Sequence, residues 1–281
     1  MVRDAVAALL GDTPFVYVDC GARGASVPSW LRPARAYEYV GIEADADECE
    51  RLRARQKPGH TYVHAVLARG RERRTLYVTH SRACSSLLRP NHALLASFGE
   101  LGHAFNVERE VEVTTTSLDE VMQASRFDAT EFLELDVQGA ELDVLSGAER
   151  MLHSSVIGLQ VEVEFAEMYQ EQPLFGDVDR FLRQRGFQLF DLARYHVRRG
   201  LAQSHAPTRG QLLWGQATYL RLPERCGSPE MSRRLAALAL LVGVPDLALE
   251  ILAAFTGKEA DLASAAREEI LASGARRVWR D

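Results

Sequence analysis

The chain has 281 residues, of which 47% are hydrophobic and 26% charged, the make-up of a globular protein long enough for one large domain and an appendage. Its 33 lysines and arginines against 39 acids leave a formal net charge of −6, so bulk electrostatics offers no attraction for a nucleic-acid backbone. No apolar run approaches the roughly 20 residues of a membrane-crossing helix, and the start MVRDAVAALLGD is too polar and too short for a secretion signal.

In chain order, FVYVDC (15–20) reads as a short buried strand and 35–44 as a second. Residues 45–56 follow as a helix with acids in the first turn and arginines later, the order its dipole favours. Residues 61–68 read as a third strand, and TLYVTH as another, leading into the polar loop SRACSSL. VEREVEVTTTS (107–117) alternates apolar and polar residues, the mark of a half-exposed strand. SLDEVMQA then reads as a helix capped by Ser117 or Thr116. Residues 131–138 form a strand, and 140–152 an amphipathic helix with Leu142, Leu145, Ala148 and Leu152 on one face. Residues 156–165 are a strand, 176–186 a helix, and 187–194 and 211–222 the last two strands.

This alternation predicts an α/β fold: a mainly parallel sheet with helices on both faces. The final two strands lack a helix between them, which permits one reversed strand at the end, a feature of methyltransferase-like sheets. After Pro223 the composition changes. The predicted division is a main domain over 1–223 and a helical extension over 224–281, with two or three helices between 230 and 274. Its apolar stripe (Leu235, Leu238, Leu249, Leu252) is expected to pack on the main domain or on a second copy of the chain, as a homodimer. The cysteines Cys20, Cys49, Cys84 and Cys226 are scattered without metal-ligand spacing, which suits reduced thiols in a cytoplasm and argues against zinc. Basic clusters at 69–74 and 194–199 read as solvated faces, and His92 and His196 as surface histidines.

The stretch FVYVDCGARGAS carries the first functional signal. Asp19 closes the strand, and Gly21, Ala22, Arg23 and Gly24 form a turn where bare glycine backbone lets a ligand approach closely. Glu43 closes the second strand 22 residues after Gly21, where an acid reaches a ribose hydroxyl pair in such sheets. A dinucleotide would need the pattern G-x-G-x-x-G, which GARGAS lacks, and would be repelled by Asp19. S-adenosylmethionine has no phosphate and carries a sulfonium and an ammonium, which acids attract. In LELDVQGAELDVLSGAERML, Asp136 ends a central strand and Gln138 and Gly139 turn into a helix. That carboxylate could bind the donor's ammonium, hold a metal, take a proton from an acceptor hydroxyl, or cap the helix. Glu141 reads as a complement to the helix dipole. On the next strand Gln160, Glu162 and Glu164 share one face, costly to bury unpaired, so that face lines a wet crevice or meets arginines. Ser86, in CSSLL, could donate a hydroxyl to a substrate or to the donor's carboxylate.

Together these segments, with GIEADADECERL, CSSLLRPN, TTTSLDEV, VEVEFAEMYQEQPLFGDVDRFLRQRGFQLFDL and QLLWGQATYLRL, resemble the FkbM family of S-adenosylmethionine-dependent methyltransferases over about residues 15–222. The resemblance implies a class I methyltransferase fold and methyl transfer to a hydroxyl of a sugar, a surface glycan or a polyketide-type product. It places Asp19, Gly21 and Gly24 in the donor-binding turn and Glu43 on the ribose. Asp136, Gln138, Gly139 and Glu141 fall on the family's D-x-[EQ]-G-x-E motif, and Glu162 on the acid of the following strand. Glu134 stands where the family often has lysine, and Gln216 where it commonly has an acid. Arg23 could meet the donor's carboxylate or an acidic group of the substrate.

The expected mechanism is O-methylation by direct displacement, with Asp136 or Glu162 as base and a divalent cation between them as a variant. The alternatives are a nicotinamide-dependent oxidoreductase and a non-catalytic module on the same sheet. The acceptor pocket is expected from loops 80–106, 166–176 and 195–210.

Overall fold

The computed structural model of the chain describes residues 2–24, 27–34, 36–127, 129–200 and 207–273. Of the sequence readings, Ala25 and Ser26 of the glycine turn, Arg35, residues 201–206 of the third acceptor loop and residues 274–281 of the extension lie outside these.

The elements follow in chain order. A helix, α1 (Arg3–Leu10), precedes β1 (Phe15–Cys20), whose residues are buried on both faces. A single 3₁₀ turn at Ser29–Leu31 leads to β2 (Tyr37–Glu43). Asp45 caps α2 (Ala46–Ala54), its side chain accepting from the amides of Asp47 and Glu48. Next come β3 (His60–His64), β4 (Val66–Leu67) and β5 (Arg73–Thr79). The short helices α3 (His92–Leu95) and α4 (Glu100–Ala104) precede β6 (Val107–Thr116). Ser117 caps α5 (Leu118–Gln123) in a reciprocal box with Glu120. Then follow β7 (Phe132–Leu135), α6 (Glu141–Ser146), α7 (Glu149–Ser154) and β8 (Gly158–Glu164). The amphipathic α8 (Phe175–Gln184) leads to β9 (Phe187–Val197) and β10 (Gln211–Arg221). The chain ends in α9 (Pro229–Leu241), α10 (Pro245–Ala253) and α11 (Ala260–Ala272). No helix among the described residues is long and apolar enough to cross a membrane.

Seven strands form the main sheet in the order β3-β2-β1-β7-β8-β10-β9. All run parallel except β10, which is antiparallel to both β8 and β9, the expected reversed strand. The reading of 61–68 as one strand is corrected. The chain bends at Ala65, so that β3 stays in the main sheet while β4 joins β5 and β6 in a separate three-stranded sheet. The sequence of β6 explains this, because Glu108, Glu110 and Glu112 face water, and a strand with one wet face does not suit a parallel sheet buried on both sides. The helix expected over 140–152 is likewise two helices. Gly147 breaks it, at a place where a Cβ would collide with the carbonyl oxygen of Ala68.

One face of the sheet packs on α5 to α8 through Val18, Leu133, Leu135, Leu159 and Val161. On the other face the described residues of the β1–β2 connection supply a 3₁₀ turn, and the C-terminal helices cover the sheet. Leu235, Leu238 and Leu241 of α9 join Leu9, Phe15, Tyr17 and Phe132 in one core. The fit is close, because a Cβ on Gly158 would lie 2.6 Å from Leu238 Cδ2. Three of the four predicted stripe residues, Leu235, Leu238 and Leu252, are thus buried inside this chain. Arg234, on the same helix, is held by Glu131 at the start of β7.

Candidate active site at the strand ends

The turn after β1 lies directly against the end of β7. Gly21 has φ +102°, and a Cβ there would collide with the carbonyl oxygen of Asp136. The amides of Gly21 and Ala22 donate to Ile42 O at the end of β2 (2.9 and 3.1 Å). These contacts open a cavity at the carboxyl ends of β2 and β7, lined by Gly21, Arg23, Glu43, Ser86, Asp136 and Gln138, with Val66, Leu67, Leu76 and Leu87 as its apolar wall. An apolar cavity with a few convergent polar groups, at the reversal point of a parallel sheet, is where such folds bind nucleotides.

Gln138 is the organising residue. It adopts φ +59°, a left-handed conformation unusual for a residue with a side chain. The strain is held by Ser86, whose Oγ donates to Gln138 O (2.6 Å) and accepts from Leu88 N (3.0 Å). The amide nitrogen then donates to Asp136 Oδ1 (2.6 Å) and Glu162 Oε2 (3.0 Å), and its Oε1 accepts from the Tyr169 hydroxyl (3.0 Å). Asp136 and Glu162 are thereby tied through one side chain. Glu141 completes the group: one oxygen each from Asp136, Glu141 and Glu162 lies within 4.8 Å of the others. Glu141 Oε1 accepts from the amides of Val137 (2.9 Å) and Gly139 (3.1 Å), which fits its reading as a complement to the helix start. Burial, then the charge of Asp136, pushes the Glu162 carboxyl well up, and burial does the same for Glu164 two residues on. Glu141 is pushed to about 7, again mainly by burial.

Arg23 is bound to acids of this chain: its guanidinium lies 2.8 Å from Asp45, 3.7 Å from Glu48 and 3.8 Å from Glu43. Glu43 is itself 5% exposed, and burial raises its pKa. Asp19, Ala22 and Gly24 are not among the cavity's lining residues. Asp19 points to the α9 side of the sheet, where its carboxylate accepts from the Tyr39 hydroxyl. Its neighbour across the β1–β7 register is Glu134, which accepts from the Tyr17 hydroxyl. Burial, then the charge of Glu134, pushes Asp19 to about 8. The Gly24 amide donates to Glu48 Oε1 (3.3 Å), and Ala22 is buried.

Sequence reasoning missed Tyr169, whose hydroxyl also donates to Cys84 O (2.9 Å), and the carboxylate pair of Asp19 and Glu134. The segment AEMYQEQ belongs to the resemblance and to the acceptor loop expected over 166–176, but its tyrosine lies outside helix and strand, where no periodicity marks it.

These acids set a pH dependence. An acid whose folded-state pKa exceeds its unfolded value of about 4 contributes stability that is complete below that value and is lost as pH rises through the folded-state value. For Glu141 and Asp19 those values are about 7 and about 8. The melting temperature of the unliganded protein is therefore expected to fall between about pH 4 and pH 8 and to level off above. Differential scanning calorimetry across that window checks it, and a flat or rising profile would show that these carboxyls are not shifted upward.

Residues 19–189 match the family model described as the methyltransferase FkbM domain. No curated protein matches the sequence. Among solved structures, the chain is similar to the methyltransferase FkbM from Methylobacillus flagellatus KT, with 16% identity and a TM-score of 0.41 over 74% of this chain and 43% of that one. It is also similar to a precorrin-6y C5,15-methyltransferase from Geobacter metallireducens GS-15 (12% identity, TM-score 0.38, 78% of this chain and 87% of that one). A third is an S-adenosylmethionine-dependent methyltransferase from Mesorhizobium loti (13% identity, TM-score 0.39, 79% and 98%). The chain thus spans less than half the length of the first of these.

Proposed function

The chain belongs to the FkbM methyltransferase family, and we propose that it transfers a methyl group from S-adenosylmethionine to a hydroxyl oxygen of a sugar, a surface glycan or a similar natural product. The observation that carries this reading is the junction at Gln138, where the cavity wall (Asp136) meets the carboxylate of Glu162. The cavity fits the donor in chemistry. Glu43 suits a ribose hydroxyl pair, Asp136 suits a cationic amino-acid end, and the apolar wall suits a purine. When bound, the donor supplies a methyl group on a cationic sulfur. The chain's part is to hold the acceptor oxygen in line with that carbon and to receive its proton. Alignment is worth about 7–11 kcal/mol, and a positioned base about 10²–10⁴-fold in rate. Glu162 is the proposed base, with Asp136 as the group facing the donor. In balance, the acceptor O–H bond breaks, an O–CH₃ bond forms, the C–S bond breaks with its electron pair staying on sulfur, and the proton goes to the carboxylate.

The clustered oxygens of Asp136, Glu141 and Glu162 would also suit a divalent cation, as a second reading of the same residues. Calorimetric titration of the protein with S-adenosylhomocysteine tests the proposal. Micromolar binding is expected, unchanged by EDTA if no cation takes part. Binding of NAD(H) with none of S-adenosylhomocysteine would overturn it.

A further inference from the structure

The strand register lays a continuous polar row across the α9 side of the sheet. Asp19 on β1 lies beside Glu134 on β7, Glu134 beside Gln160 on β8, Gln160 beside Thr218 on β10, and Thr218 beside Asp191 on β9. The row below it, toward the start of β7, is apolar and closed. Tyr17 stacks on Phe132, Trp30 packs edge-on to Phe132 at 4.9 Å, and Leu238 covers Gly158. The row above holds Glu162 and, directly opposite it, Gln216. The covering helix ends at the boundary. Leu241 and Val242 form one wall of an open cavity of about 390 Å³, whose floor includes Gln160, Thr218, Gln216 and Asp191. Gln216 Oε1 is buried there without a hydrogen-bond partner among the described residues. Trp30 and Tyr195 both line the cavity. Tyr195 is 45% exposed and is stacked on Trp214 with ring centroids 5.7 Å apart. Among the described residues, no lysine or arginine lines it.

We propose that this groove is the acceptor site and that it takes a hydroxyl-rich sugar ring without anionic groups, an inference that rests on the methyl-transfer reading above. The lining chemistry is that of a sugar site. Aromatic faces accept the apolar C–H side of a pyranose, while amide, hydroxyl and carboxylate groups accept and donate to its hydroxyls. The charge gives the selectivity. The carboxylate of Asp191 lines the groove and, among the described residues, no lysine or arginine does, so a phosphate or carboxylate would find no partner there. The position fits the reaction as well: Gln216 faces Glu162 across the β8–β10 register, and Glu162 is joined through Gln138 to the donor cavity.

Saturation-transfer NMR on the full chain tests this, with S-adenosylhomocysteine present and methyl glucopyranoside, mannopyranoside and rhamnopyranoside as probes against glucose 6-phosphate and glucuronate. Transfer to at least one neutral pyranoside is expected, with none to the two anions. Thr218→Arg, which fills the floor, and the exposed Tyr195→Ala should each cut that signal at least fivefold while S-adenosylhomocysteine affinity stays within twofold. Donor-product binding without transfer to any neutral pyranoside overturns the groove assignment, as does equal transfer in both variants or stronger transfer to the anions. Loss of donor-product binding by the unaltered chain sinks the methyl-transfer reading instead.

Discussion

Replacing Arg234 by methionine is expected to destabilise the protein by about 3–5 kcal/mol, the cost of removing one member of a buried ion pair. Both partners are nearly sealed, with side-chain exposures of 6% for Arg234 and 8% for Glu131. Arg234 Nε donates to Glu131 Oε1 (2.7 Å), while the two Nη atoms reach Leu10 O (3.0 Å), Thr13 O (3.3 Å) and Pro14 O (3.1 Å). Glu131 Oε2 accepts from Val16 N (2.6 Å). One side chain of α9 therefore satisfies the carbonyls that end α1 and lead into β1, and it neutralises the acid at the root of β7. Methionine fills much of the volume and satisfies none of these groups. Burial already raises the Glu131 pKa with the arginine in place, so in the variant the lone carboxylate ionises at a still greater cost. Its stability deficit should then shrink as pH falls and the acid takes up a proton. Urea denaturation at about pH 8 and pH 5 measures both effects. The double variant Arg234→Met with Glu131→Leu should recover part of the loss, since an apolar pair leaves no stranded charge. A loss under about 1 kcal/mol, equal at both pH values, would show that the pair does not hold the C-terminal helices to the sheet.

Much of the sheet was legible because its strands carry local signals. The turn residues Gly21, Gln138 and Gly139 stand where the glycine and D-x-[EQ]-G patterns put them, and the helix-free join before Gln211 correctly foretold the reversed strand. The direction of Asp19 was not legible. Alternation tells which way a side chain points only when one face is wet, and every residue of β1 is buried. Its acid could be assigned to the end of the strand but not to a face. The covering of the sheet by α9 was hidden for a different reason. The stripe of Leu235 and Leu238 reads as an apolar helix face, but what it covers is a sheet face over which the described residues of the distant β1–β2 connection form no α-helix. Tyr169 was missed because its partners, Gln138 and Cys84, are 31 and 85 residues away and no local pattern connects them.

Glu162→Gln is expected to lower kcat by about two to four orders of magnitude, the contribution of a positioned base, with donor affinity changed little. The substitution is nearly isosteric, and its carbonyl oxygen can still accept from Gln138 Nε2, so the turn that shapes the donor cavity keeps its anchor. Only proton acceptance is lost. In the unaltered protein Glu162 is 7% exposed, and burial, then the charges of Asp136, Glu164 and Glu141, push its pKa up, a shift that a neighbouring cation opposes. The donor's positive charge is such a cation. kcat/KM should accordingly rise with pH as the free enzyme's carboxyl ionises, and the residual activity of the variant should lose that rise. Asp136→Asn separates the two acids, because Asp136 lines the donor cavity and its replacement should weaken donor binding as well as turnover. Stopped-time methyl-transfer assays paired with donor calorimetry read both quantities. If Glu162→Gln retains more than a tenth of kcat while Asp136→Asn keeps its donor affinity and loses turnover, the proton goes to Asp136, and Glu162 serves to orient Gln138.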